Sequence, residues 1–203
     1  MRSIGMAVVL GVGGLASAGA SAADVQREGV YALAGVGVQG TVWERDTPKA
    51  AGGGDDTRID NRLGYTLGTG VRLTPFLAVE ANYYGMAGKA RKEQVGAFGN
   101  QAATASVLGI LPVGGRVDLY GRVGGGYVRQ AFVPKAGSRY APAEDTRAAL
   151  QLGAGVNVHL NGGSFLRAEW NTWRPAKRSA VAKASGADRF GTAQLALSYG
   201  LTF

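Results

Sequence analysis

The sequence predicts an all-β protein: an eight-stranded antiparallel up-and-down transmembrane β-barrel. Three observations predict it. Apolar residues recur at every second position through eight segments, the period of a strand with one oily and one polar face. Long polar stretches and tight turns alternate strictly between those segments. The last segment carries no charge after Arg189 and stops on Phe203, which suits a closing strand whose outer face meets lipid.

The composition is compatible with this reading and removes several others. The 203 residues suffice for one domain and include no Cys, which excludes a disulfide framework and thiol chemistry. The 34 Gly sit inside apolar alternating segments, so they point to crowded strands rather than disorder. Mean hydropathy is near zero, and no stretch beyond the N-terminus is oily enough for a membrane helix. A membrane barrel gives that average because half of its strand residues are polar. The net charge of +8 suits nucleic acid, an anionic membrane surface or solubility alone.

Residues 1–22 read as a cleaved export signal. Arg2 is the basic start, residues 4–19 are the apolar stretch, and Ala20-Ser21-Ala22 is a small-x-small cleavage site. The mature domain is then 23–203. Export leaves nucleic acid as an unexpected partner.

The strands follow in order. Strand one, 30–44, sets Val36, Val38 and Val42 against Gly37, Gln39 and Thr41. Polar residues 45–62 follow. Strand two, 63–73, sets Leu63, Tyr65, Leu67 and Val71 against Thr66, Gly68, Gly70 and Arg72. Thr74-Pro75 turns the chain. Strand three, 76–86, sets Leu77, Val79, Ala81 and Tyr83 against Ala78, Glu80, Asn82 and Tyr84. Polar residues 87–99 lead to strand four, 100–111, where Ala and Ser blur the alternation. After a turn at 112–115, strand five, 116–132, faces Val117, Leu119, Val123 and Tyr127 outward and Arg116, Asp118, Tyr120 and Arg122 inward. Residues 133–145 are polar. Strand six, 146–160, sets Leu150, Leu152 and Val158 against Gln151, Asn157 and His159. Asn161-Gly162-Gly163 is a hairpin turn. Strand seven, 164–173, opposes Leu166, Ala168 and Trp170 to Phe165, Arg167, Glu169 and Asn171. Polar residues 174–188 lead to strand eight, where Leu195, Leu197, Tyr199, Leu201 and Phe203 share the oily face.

Short turns at one end and long connections at the other are the asymmetry of bacterial outer-membrane barrels. A soluble lipocalin-like barrel also has eight strands, but its oily faces point inward. Here the mid-strand charges Glu80, Arg122, Arg167 and Glu169 lie opposite the oily side, with Gly, Asn and Thr, so the oily side is expected to face lipid.

Ordered pieces of the chain carry a family likeness. They are Leu63-Gly64-Tyr65, Thr74-Pro75-Phe76-Leu77-Ala78-Val79-Glu80, Asp118-Leu119-Tyr120-Gly121-Arg122-Val123, Arg167-Ala168-Glu169-Trp170 and Leu197-Ser198-Tyr199-Gly200-Leu201-Thr202-Phe203. Together they make the chain, from about Val30 onward, resemble the transmembrane domain of outer membrane protein A and its small relatives. The resemblance implies that Tyr199, Leu201 and Phe203 form the signal read by the outer-membrane assembly machinery. Fuller members carry a peptidoglycan-binding domain after the barrel, whereas this sequence stops at Phe203, so wall anchoring does not carry over.

Three sets of residues are candidates for function. Glu80, Arg122, Arg167 and Glu169 are expected to meet as a paired interior network, because eight strands leave a lumen that side chains fill. That network is either a structural plug or a gated path for small ions. Lys89, Arg91 and Lys92 in the second long connection, with Arg174, Lys177, Arg178, Lys183 and Arg189 in the fourth, form a basic cluster suited to lipopolysaccharide phosphates. His159, the only His, lacks an evident Ser partner, with Ser164 and Glu169 near in sequence alone. Trp43, Tyr65, Tyr83, Tyr127, Trp170 and Tyr199 suit interfacial girdles. Gly124-Gly125-Gly126 lacks the residues of a phosphate loop and reads as relief of crowding.

The expected protein is a monomeric, non-enzymatic barrel in the outer membrane of a Gram-negative bacterium, without metal or cofactor. It contacts outer-membrane lipids and lipopolysaccharide, and serves envelope integrity or contact with a host or partner surface. A narrow channel is the alternative, and a lipid A-modifying enzyme the second.

Overall fold

Alternation becomes architecture only when every backbone N–H and C=O finds a partner, which in lipid demands a closed sheet. A computed structural model describes residues 29–44, 58–86, 96–134, 142–175 and 189–203. The strands are β1 (Gly29–Glu44), β2 (Arg58–Thr74), β3 (Leu77–Met86), β4 (Gly96–Val113), β5 (Val117–Pro134), β6 (Ala143–His159), β7 (Ser164–Pro175) and β8 (Arg189–Thr202). Each pairs antiparallel with the next, and β8 returns to β1 through pairs such as Ala34↔Tyr199, closing the barrel. The expected export signal and its cleavage site lie outside the described residues.

The turns sit at one end, each shifted by a residue or two from the limits the sequence suggests. Pro75 and Phe76 turn β2 into β3, and Thr74 remains in the strand. Residues 114–116 turn β4 into β5, so Arg116, expected to face the lumen, is exposed on the turn. Its carbonyl accepts a hydrogen bond from His159 N at 2.7 Å, which fixes the backbone there and leaves the side chain outside the alternation. At the third turn Gly162 and Gly163 have φ of 74° and 73°, the left-handed region that Gly enters without strain. Leu160 lies beyond β6, where its N–H donates to Ser164 O at 2.8 Å.

At the other end the strands run further than the oily alternation. β2 begins at Arg58, β4 at Gly96 and β6 at Ala143, while β5 continues to Pro134 and β7 to Pro175. Ladder pairing needs only backbone groups, so it continues past the point where the side chains stop being apolar. β4, blurred in sequence, alternates strictly: Ala102, Thr104, Ser106, Leu108 and Ile110 are buried, and the residues between them are exposed.

The two faces separate as the charges indicated. Val36, Val38, Leu63, Leu67, Val123, Leu150, Leu195 and Leu197 are among the large apolar side chains exposed around the outer wall. Such a continuous apolar surface suits lipid and would drive aggregation in water. The interior is less uniformly polar than expected. Tyr31, Leu33 and Phe165 cluster near the turn end, with Ala78, Leu108, Ile110 and Tyr120 close by. Tyr84, Ala102, Val128, Ala149 and Trp173 cluster toward the other end. Apolar side chains that pack on one another inside the barrel leave little of their surface to water, so they can share the interior with polar ones.

Candidate functional site

Four charged residues meet between those clusters. Parity turns Glu80 of β3, Arg122 of β5, and Arg167 and Glu169 of β7 inward, and all four are at most 4% exposed. Glu80 is the hub. Its Oε1 accepts from Tyr31 Oη at 2.5 Å and from Arg167 Nη1 at 2.7 Å. Its Oε2 accepts from Arg122 Nη2 and from Asn82 Nδ2, the latter at 3.1 Å. A buried carboxylate is tolerable with that many donors around it.

The second carboxylate completes the balance. Glu169 Oε2 accepts from Tyr120 Oη at 2.9 Å and lies 3.4 Å from Arg122 Nη2. Arg122 also donates to Tyr84 Oη, and Arg167 Nε donates to Asn157 Oδ1 at 2.8 Å. The Arg167 guanidinium stacks over the Tyr120 ring, 4.9 Å from its centroid. Two arginines thus face two glutamates, and the site carries no net formal charge.

Close packing positions the hub. Gly70 of β2 pairs with Glu80, and an added Cβ there would lie 2.5 Å from the Tyr31 ring and 2.7 Å from Glu80 Cγ. The missing side chain is what lets the phenol reach the carboxylate. Gly124 and Gly126 serve the neighbouring wall: Cβ atoms there would lie 2.4 Å from Ala105 O and 2.0 Å from Ala103 O. They permit close approach of β4 to β5.

A smaller cluster closes the turn end. Asp118 Oδ2 accepts from Arg72 Nη1 at 2.6 Å and lies 2.6 Å from His159 Nε2. Arg72 Nη2 in turn donates to Pro75 O at 2.6 Å, tying the first turn to the lumen. His159 is therefore engaged with Asp118. Ser164 Oγ donates instead to Asn161 O at 3.2 Å, and Glu169 belongs to the central network. The three residues that a hydrolytic triad would use make no Ser–His–acid relay here.

A family model of the OmpA-like transmembrane domain matches residues 25–202. The chain belongs to that family. Among curated protein sequences, none matches the chain. Solved structures similar to this OmpA-like barrel include Neisserial surface protein A, 14% identical with a TM-score of 0.63 over 86% of this chain and 97% of that one. Ail, the attachment invasion locus protein of Yersinia pestis, is 17% identical with a TM-score of 0.56 over 87% and 99%. Ail has also been solved in complex with the heparin analogue sucrose octasulfate. The N-terminal β-barrel domain of Pseudomonas aeruginosa OprF is 13% identical with a TM-score of 0.50 over 87% and 98%. At these identities the likeness is one of fold.

Of the remaining candidate residues of this OmpA-like barrel, the described ones take the following places. Arg174 is exposed on β7, and Arg189 begins β8. Lys89, Arg91, Lys92, Lys177, Arg178 and Lys183 lie outside the described residues. Tyr199, Leu201 and Phe203 all face outward, and Phe203 N donates to Val30 O at 2.8 Å, tying the C-terminus into the wall. Of the girdle aromatics, Tyr65 and Tyr83 pack with ring centroids 6.1 Å apart, and Tyr127 is 65% exposed. Trp170 is half-buried and Tyr199 exposed. Trp43 belongs to β1, and its side chain is outside the described ones.

Tyr31, Tyr84, Tyr120, Asp118 and His159 were legible as inward-facing or could have been. Tyr31 shares the parity of Gln39, which the alternation already turned inward. Nothing local marked them as partners of the charges.

Proposed function

We propose that this chain is a non-enzymatic outer-membrane protein whose lumen is a structural plug and whose outer rim makes the functional contacts. The observation that carries this reading is Glu80, held by Arg122, Arg167, Tyr31 and Asn82 across the interior of the barrel. Four donors on one buried carboxylate leave no through-path at that level without breaking charge pairs. Function then falls to the long-connection end, read as the cell exterior.

There the sequence concentrates Lys89, Arg91, Lys92, Arg174, Lys177, Arg178, Lys183 and Arg189. Lys and Arg at an anionic surface pair with phosphate or sulfate. Lipopolysaccharide phosphates and acidic surface glycans of a host or partner are the matching ligands. The complex of the structurally similar Ail with a sulfated sugar supports this chemistry. The barrel reaches the membrane after removal of residues 1–22, is assembled through its Tyr199, Leu201 and Phe203 end, and acts as a monomer.

Two measurements test the reading. Planar-bilayer recordings are expected to show no steady single-channel conductance, for the native chain and for Glu80→Ala alike. Steps that appear only in the variant would show that Glu80 itself bars the lumen; steps in the native chain would replace the plug with a channel. Changing Arg174, Lys177, Arg178, Lys183 and Arg189 to Gln is expected to weaken lipopolysaccharide retention on a gel. Unchanged retention would remove the phosphate role of that connection.

A further inference from the structure

The outer wall carries a pair of phenols that neither the plug nor the rim uses. Tyr65 of β2 and Tyr83 of β3 both point outward, as the alternation of their strands dictates. Tyr65 pairs directly with Gly85, and Leu67 with Tyr83, so the two tyrosines are diagonal neighbours. Such neighbours lie roughly 7–8 Å apart, within reach of aromatic side chains. Here the ring centroids are 6.1 Å apart with the planes tilted by 40°, and the hydroxyls share a hydrogen bond.

Gly85 sets this arrangement. A Cβ there would lie 2.4 Å from both Cζ and Oη of Tyr65, so the ring rests on that glycine. Any larger residue would displace it. The other described tyrosines are placed differently. Tyr31, Tyr84 and Tyr120 are at most 6% exposed and are engaged in the lumen. Tyr127 and Tyr199 face outward, but among the described residues no tyrosine ring packs against either.

We propose that Tyr65 and Tyr83 form an oxidative modification site, at which a one-electron oxidant joins the two rings as dityrosine. Each phenol loses one electron and one proton and becomes a phenoxyl radical. The two radicals form a carbon–carbon bond between ortho positions. Each of those carbons then passes its hydrogen to the oxygen of its own ring, which restores aromaticity. A peroxide accepts the two electrons: persulfate leaves as two sulfates, and hydrogen peroxide, taking up the two protons, leaves as two waters. The girdle lies where acyl chains meet water, so oxidants from the aqueous side reach these rings.

The chain has no Cys and therefore no disulfide to staple its strands. A bond from Tyr65 to Tyr83 staples β2 to β3 instead, closing the chain that runs through the turn at Pro75 and Phe76. Like a disulfide, it narrows the unfolded ensemble, so oxidation hardens the folded barrel. The site is independent of the rim contacts proposed above.

The test uses the whole chain, refolded in detergent and illuminated with a ruthenium bipyridyl complex and persulfate. A heat-dependent gel shift verifies that each variant is folded. The expected product is a monomer with dityrosine fluorescence, lighter by two hydrogen atoms. Its digest joins the peptide of Tyr65 to that of Tyr83. Tyr65→Phe and Tyr83→Phe each abolish it, Tyr127→Phe leaves it unchanged, and Gly85→Ala lowers its yield. The cross-linked barrel is expected to keep its folded gel mobility to a higher temperature than illuminated Tyr83→Phe.

A folded native chain that yields no such linked peptide would overturn the proposal. So would a dityrosine that survives in Tyr83→Phe, or one found only between two molecules. Loss of folded mobility at the same temperature in the cross-linked barrel and in illuminated Tyr83→Phe would remove the hardening.

Discussion

At the scale of single residues, the interior is decided by which partners each charge reaches. Glu80 is 1% exposed and its two carboxylate oxygens take bonds from four side chains on four strands. Its parity was readable from the alternation of β3, but its partners were not. Arg122 lies 42 positions away and Arg167 87 positions away. Removing the charge while keeping the shape leaves both guanidinium groups facing an amide in a dry lumen. Glu80→Gln is therefore expected to cost about 3–5 kcal/mol of barrel stability, as breakage of a buried pair does. Urea unfolding in detergent micelles, followed by the loss of the heat-dependent gel shift, measures it. A cost below about 1 kcal/mol, the value of an exposed pair, would mean that the network does not hold the lumen together.

At the scale of elements, each strand reads as two independent faces, and β8 offers the sharpest comparison. Leu197 is 68% exposed and Ser198, its neighbour, is 4% exposed. Ser198 Oγ already lies so close to Gly35 that a Cβ there would come within 2.1 Å of it. The same substitution should thus have opposite consequences one residue apart. Leu197→Phe adds an aromatic to a lipid-facing wall and is expected to change stability by less than about 0.5 kcal/mol, as surface changes do. Ser198→Phe overpacks the lumen and is expected to cost about 1–3 kcal/mol. Equal effects in the same unfolding assay would show that the closing strand does not separate lipid from lumen. Strand limits were less legible than strand faces. The oily alternation reports where lipid begins, whereas the ladder continues beyond it, which is why β2, β4 and β6 start earlier than their apolar residues indicate.

At the scale of the whole molecule, closure and inside-out polarity act together. β8 pairs with β1 from Tyr31↔Thr202 to Glu44↔Arg189, so the sheet presents no free edge along that seam. The apolar wall outside it demands an apolar solvent. The described barrel is accordingly expected to stay monomeric in detergent and to aggregate when the detergent is diluted away, as size-exclusion chromatography would report. A folded monomer persisting in plain buffer would contradict the outward placement of Val36, Leu67, Val123 and Leu197. The sequence by itself determined the number of strands, their order, and which side of each is oily, because a period of two is a local property that any short window displays. Only the tertiary structure decided which inward residues share a level of the lumen. That depends on the stagger accumulated from strand to strand around the closed sheet, a quantity spread over all eight pairings and visible in none of them alone.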